Sequence, residues 1–160
     1  LDETRREDTV LRDQINDAVK TAMKAQDKLR LSTLRMVNSA IKNADIEARG
    51  VGKGLLADAD ILGLLQKLIK QRQESIELYD KGGRPELAAQ ERSEIEMIAS
   101  FLPQQLSEAE AKEAIAGVIR ETGAAGMKDM GKVIAALKER YAGKMDFGKA
   151  SALVKGMLTG

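Results

Sequence analysis

Residues 95–110 read Ile95-Glu96-Met97-Ile98-Ala99-Ser100-Phe101-Leu102-Pro103-Gln104-Gln105-Leu106-Ser107-Glu108-Ala109-Glu110, and this stretch decides the fold. Ile95 and Ile98 close an apolar helix face. Pro103 has no amide hydrogen and disfavours helical geometry in the residue before it, so a helix arriving from Ile95 stops short of it. Ser107 followed three residues later by Glu110 is a capping-box pattern, in which each side chain accepts from the other residue's backbone N–H. One helix ends and another begins within this short run. The boundary predicts two helical subdomains, residues 11–102 and 107–160.

Upstream, the apolar positions keep a helical period. Leu11, Ile15, Ala18, Val19, Ala22 and Met23 share one face of a first helix. Asp27 is the expected cap of a second, whose apolar side is Leu31, Leu34, Val37, Ile41 and Ala44. That helix runs out in Arg49-Gly50-Val51-Gly52-Lys53-Gly54, a glycine-rich loop. Asp58 is the expected cap of a third helix carrying Ile61, Leu65, Leu68, Ile69, Ile76 and Tyr79, which stops at Gly82-Gly83. Pro85 suits the first turn of a fourth, with Leu87, Ala88, Ile95 and Ile98 inward and Glu91, Glu94 and Glu96 in its polar sectors. Downstream, three shorter helices follow. They carry Ala111, Ile115, Val118 and Ile119; then Met130, Val133, Ile134 and Leu137; then Phe147, Ala150, Leu153, Val154, Met157 and Leu158. No segment alternates like a strand. The expected fold is all-α and multihelical, with N-terminal helices and a small C-terminal three-helix unit.

Composition narrows the chemistry. The 160 residues are 43% hydrophobic and 32% charged, which suits a packed core with a solvated surface. Cysteine and histidine are absent, removing disulfides, thiolate nucleophiles and the commonest metal ligands. Gly50–Gly54 lacks the spacing of a phosphate loop, and Gly54 stands where Ser or Thr should follow the lysine. The carboxylates, Asp58 with Asp60 and Glu91 with Glu94 and Glu96, read as solvated helix turns rather than catalytic pairs. No catalytic residue, metal site or cofactor site is assigned. No apolar run approaches the roughly 18 residues of a membrane span, so no membrane partner is expected. Residues 1–10 show no apolar period and no signal-peptide pattern, and read as a flexible leader or an expression remnant. The expected compartment is the cytoplasm.

Net charge is only +1, but its distribution is uneven. Lys28, Arg35, Lys42 and Arg49 recur every seven residues, forming a slowly drifting stripe on the second helix. Residues 20–53 hold eight basic side chains against three acids, and residues 120–160 hold eight against four. In the second group Lys132, Lys138, Lys144 and Lys149 lie near Gly131 and Gly143. Such clusters suit phosphate contacts, and glycine there permits close approach of another backbone. The simpler alternatives are an ordinary solvated surface and close helix packing. Only four aromatics are present, too few to stack the splayed bases of single-stranded RNA.

Several blocks resemble one family. Arg30-Leu31-Ser32-Thr33-Leu34-Arg35-Met36 with Ala40-Ile41-Lys42-Asn43, Gln66-Lys67 with Lys70-Gln71-Arg72 and Ser75-Ile76, and the Phe101–Ser107 linker are similar to YqeY-like proteins of the GatB/YqeY family. Lys128-Asp129-Met130-Gly131-Lys132-Val133 with Gly143-Lys144-Met145-Asp146 also resembles the C-terminal tail of the B subunit of tRNA-dependent amidotransferase. The resemblance runs from about Leu11 to Gly160; the Gly50–Gly54 loop and the leading decapeptide depart from it. It implies a multihelical N-terminal part joined to a three-helix part. It also implies contact with tRNA, and amidotransferase or synthetase components as further partners. The activity attached to the family is that of a carbon–nitrogen ligase with glutamine as amido-N-donor. No amidase nucleophile or ATP cradle is visible here, so that activity marks kinship. Two function classes stay open: a non-catalytic tRNA-binding or tRNA-amidation accessory protein, and a helical protein–protein interaction module. The sequence does not specify an oligomeric state.

Overall fold

The computed structural model describes residues 10–159. The leader reading over residues 1–10 lies outside the described residues, except for Val10, which opens the first helix. The chain forms two compact units that divide between Leu102 and Pro103. The fold is all-α, and no strand occurs among the described residues.

The first unit holds α1 (Val10–Lys24), α2 (Lys28–Gly50), α3 (Asp58–Lys81) and α4 (Pro85–Ala99). The turn between α1 and α2 puts Gln26 at φ 54°. Asp27 then caps α2, its carboxylate accepting from the Arg30 N–H at 3.2 Å. Pro85 takes the first position of α4, where its missing N–H has no role to fill. Pairs across the helices fix their directions. Arg12 meets Asp45 and Asn16 meets Asn38, so α1 and α2 are antiparallel. Asp80 meets Arg92 and Arg72 meets Glu94, so α3 and α4 are too. The core is Leu11, Ile15, Val37, Ile41, Ile61, Leu65, Leu68 and Ile98, with Phe101 and Leu102 packed against it. Each fully buried aliphatic of this kind contributes about 1.5–3 kcal/mol.

The start of α3 corrects one expectation. Ala57, not Asp58, is its N-cap, and the Asp60 carboxylate reaches back to the Ala57 N–H at 3.2 Å. Asp58 is the first residue of the helix, and both its oxygens lie 3.3 Å from the Leu11 N–H. Its charge thus serves the unpaired donors at the start of α1, a partner 47 residues away that local spacing cannot reveal.

The second unit holds α5 (Glu108–Thr122), a 3-10 turn (Met127–Asp129), α6 (Met130–Arg140) and α7 (Phe147–Thr159). The Ser107–Glu110 capping box forms in both directions, at 3.1 and 3.0 Å. Gly123 ends α5 at φ 67°, a left-handed position that suits glycine. Ile115, Val118, Val133, Leu137, Met145, Ala150 and Val154 form this unit's core. Gln105 and Leu106 donate to the carbonyls of Gly143 and Lys144, tying the start of the unit to the α6–α7 turn.

Candidate nucleic-acid interface

α2 presents the basic stripe to solvent. Seven residues advance about 10 Å along a helix and return to within about 20° of the same direction. Lys28, Arg35, Lys42 and Arg49 are all exposed, and none joins an ion pair or hydrogen bond through its side chain among the described residues. The structure also shows why they lack close carboxylate partners, Arg49 acting on Asp45 only at a distance. Of the acids between residues 20 and 53, Asp27 is engaged as the α2 cap and Asp45 is buried and turned toward α1. Only Glu47 remains exposed on this helix.

Asp45 is 6% exposed and accepts three hydrogen bonds. Two come from the Arg12 guanidinium, at 2.8 and 3.0 Å, and one from the Leu56 N–H at 3.0 Å. Arg12 also donates to the Leu56 carbonyl at 3.3 Å. The Arg12 hydrogen bonds hold the Asp45 carboxyl below the usual carboxylate range, against burial, and the same bonds raise the guanidinium further. This fork joins α1, α2 and the segment entering α3. Neither partner was legible in the sequence as part of a pair, because 33 residues separate them.

Beside this fork a groove of about 410 Å³ runs between α1 and α2. Arg12 and Asn16 line it from α1; Arg35, Asn38, Ser39, Ile41 and Lys42 line it from α2. The Asn38 amide donates to the Asn16 side-chain oxygen at 3.1 Å. No carboxylate is among the lining residues. The structure therefore brings Arg35 and Lys42, both singled out in the sequence, to one depression. Asn16, Asn38 and Ser39 carried no signal of their own.

The tail residues are less gathered. Lys132 donates from Nζ to the Thr122 carbonyl at 3.1 Å, a cation at the C-terminal end of α5. Lys138 is exposed on α6, six residues on and so about 120° away around the helix. Lys144 is half-buried in the α6–α7 turn, with its carbonyl engaged by Leu106. Lys149 is exposed in the first turn of α7, where its N–H meets the Asp146 carboxylate at 3.3 Å. Gly143 has φ 74°, which accounts for glycine there. A side chain at Gly131 would meet nothing within 4 Å, so close packing inside this unit does not explain that glycine.

The α4 carboxylates correct a second expectation. Glu91 and Glu94 are half-buried rather than on an open face; both sit on Arg72, whose Nε lies 3.8 Å from Glu91 and 3.2 Å from Glu94. Burial, followed by the neighbouring Glu94 charge, pushes the Glu91 carboxyl up. Arg72 further donates to the Leu68 carbonyl and to the Met36 sulfur. Glu96 alone of the three is exposed. Among the described residues no three His, Cys, Asp or Glu side chains converge, and no helix is long and apolar enough to cross a membrane.

Known proteins extend this description. The Altered inheritance of mitochondria protein 41, mitochondrial, of Lachancea thermotolerans is 41% identical over 105 residues, covering 64% of this chain and 54% of that protein. The protein of the same name from Vanderwaltozyma polyspora is 37% identical over 84 residues, covering 52% and 44%. An uncharacterized protein of Schizosaccharomyces pombe is 36% identical over 86 residues, covering 54% and 67%. The chain spans about half the length of the first two. The names of those two overturn the expectation of a cytoplasmic location. Lack of cysteine and of a spanning segment restricts chemistry but does not specify a compartment. Residues 12–158 match the description "Yqey-like protein", and with nearly the whole chain covered, the protein belongs to the YqeY-like family.

Proposed function

We propose that this chain is a non-catalytic RNA-binding protein that holds structured RNA of the tRNA class by its phosphate backbone, as an accessory to tRNA-dependent amidation. One observation carries the proposal. The four basic side chains of α2 form an exposed row in which none is hydrogen-bonded or ion-paired among the described residues, because Asp27 is engaged as a cap and Asp45 is held by Arg12, with Arg49 acting on Asp45 only at a distance. From Lys28 to Arg49 the row extends about 31 Å, long enough to follow a strand rather than a single small anion. The similarity of residues 128–146 to the amidotransferase tail supports the same reading and adds Lys132, Lys138, Lys144 and Lys149 as a second basic surface. With four aromatics in the chain, recognition works through shape and phosphates, and discrimination among tRNAs is weak.

The test is a filter-binding titration with bulk tRNA across a salt series. Four phosphate contacts give a slope of log affinity against log salt of about −3. Replacing Lys28, Arg35, Lys42 and Arg49 by Gln should remove that part of the slope, leaving the share of the tail. Changing Lys132, Lys144 and Lys149 together to Glu should weaken binding broadly across tRNAs, with the fold intact. Glu108, Glu110 and Glu113 changed to Gln should not weaken it. No retention of tRNA at low salt refutes the proposal. A protein-interaction module then takes its place, favoured by the exposed Ile46, Val51 and Leu55 around the end of α2.

A further inference from the structure

We infer that the groove between α1 and α2 is a discrete subsite for one phosphoryl group; on the RNA-binding reading, on which the identity of its ligand rests, that group is a backbone phosphodiester. A row of surface cations attracts polyanions diffusely, whereas this depression supplies a defined set of donors. Arg35 and Lys42 stand two turns apart on one face of α2 with no partner among the described residues, and both line the groove. Arg and Lys side chains carry donors only, and guanidinium matches two phosphate oxygens at once. The Ser39 hydroxyl and the Asn16 and Asn38 side chains add neutral polar groups to the same wall.

The surroundings favour an anion as well. Asp45, the carboxylate bonded to Arg12, is locked to it by two hydrogen bonds and capped by the Leu56 N–H, so it does not compete for Arg35 or Lys42; Asp58 and Asp13 also act on Arg12 through charge, and neither lines the groove. The Arg12 Nε–H is buried and has no acceptor among the described residues. A volume of about 410 Å³ admits a phosphate with part of its ester, and excludes a duplex. No lining side chain carries a negative charge, so the groove holds no counter-ion for a cation.

The closing experiment separates the groove from the rest of the stripe. The full chain is titrated with inorganic phosphate at low ionic strength while the Asn16 and Asn38 side-chain amide signals are followed by NMR. The same protein, and two variants with equal loss of charge, are then titrated with bulk tRNA. Arg35→Gln with Lys42→Gln alters the groove; Lys28→Gln with Arg49→Gln alters the stripe outside it. All four residues are exposed, so both variants retain the fold. The expected result is a saturable phosphate response in the wild type and in the outer variant, lost in the groove variant. For tRNA, the groove variant should lose about tenfold or more in affinity beyond the outer variant, the worth of one charge-assisted hydrogen bond. A phosphate response that never saturates, or that persists in the groove variant, overturns the subsite. Equal tRNA losses in the two variants overturn it while RNA binding stands. Saturable phosphate binding without any tRNA retention upholds the subsite, assigns it to a small phosphorylated ligand, and refutes the RNA-binding reading.

Discussion

Replacing Asp45 by Ala should destabilise the first unit far more than any surface carboxylate change. Asp45 is 6% exposed and accepts from two Arg12 nitrogens and the Leu56 N–H. The substitution leaves a guanidinium without its counter-ion and a half-buried amide without an acceptor. Breaking a buried pair from one side costs about 3–5 kcal/mol. The Arg12 side chain keeps 19% of its surface in solvent, so the lower end applies, about 3 kcal/mol. For a unit of about 100 residues this corresponds to a fall in midpoint temperature of roughly 12–24 °C, or in urea midpoint of about 1–3 M. Urea denaturation followed by circular dichroism gives the total. Hydrogen exchange read by mass spectrometry assigns the loss to α1, α2 and the Leu56 segment. Adding Arg12→Met to Asp45→Ala should recover a large part of the loss, because the stranded charge is gone, with a coupling energy of about 2 kcal/mol or more. The pH dependence follows from the direction of the shift. The Asp45 carboxyl is lowered in the folded state, so its contribution is complete above the ordinary aspartate range and is lost as pH falls through the folded value. The gap between wild type and Asp45→Ala should therefore narrow below about pH 4. A loss under about 0.5 kcal/mol with no coupling would show that the fork is solvent-screened and contributes no more than a surface pair.

Four further outcomes are expected. Glu91→Gln should be neutral or stabilising at pH 7 and should lose any advantage in acid: a carboxyl raised by burial and by Glu94 binds its proton more tightly when folded, so its contribution to stability falls as pH rises through the window between its unfolded and folded values. Glu94→Gln, which weakens the 3.2 Å contact to Arg72, should destabilise at pH 7, and equal urea midpoints for the two variants would contradict this difference. Ser107→Ala should cost the second unit about 1 kcal/mol by removing one half of its capping box, checked by exchange rates in the first turn of α5; unchanged protection there would count against it. We propose that residues 11–102 and 107–160 fold separately; limited proteolysis should then cut first near the exposed Gln104 and Gln105, and initial cuts inside α2 or α3 would count against separate folding.

The sequence by itself determined what rests on neighbours within one or two turns. The helix faces from Leu11 to Ile98 and from Ile115 to Val154 follow from a 3.6-residue period that burial then occupies. Asp27, Pro85, the Ser107–Glu110 box and Gly123 were legible because caps act over three residues or fewer. The exposed stripe of Lys28, Arg35, Lys42 and Arg49 was legible for the same reason, since a seven-residue step nearly closes two turns. Only the tertiary structure decided what each charge does. Asp58 serves α1 rather than its own helix, Asp45 is drawn inward by Arg12, and Glu91 and Glu94 converge on Arg72. An identical carboxylate is a cap, a buried anchor or a solvated group according to which donor packing brings beside it. That donor lies 19 to 47 residues away in these cases, beyond the reach of any local pattern. The groove beside Arg35 and Lys42 has the same origin: α2 supplies its charge, and the antiparallel packing of α1 supplies its other wall.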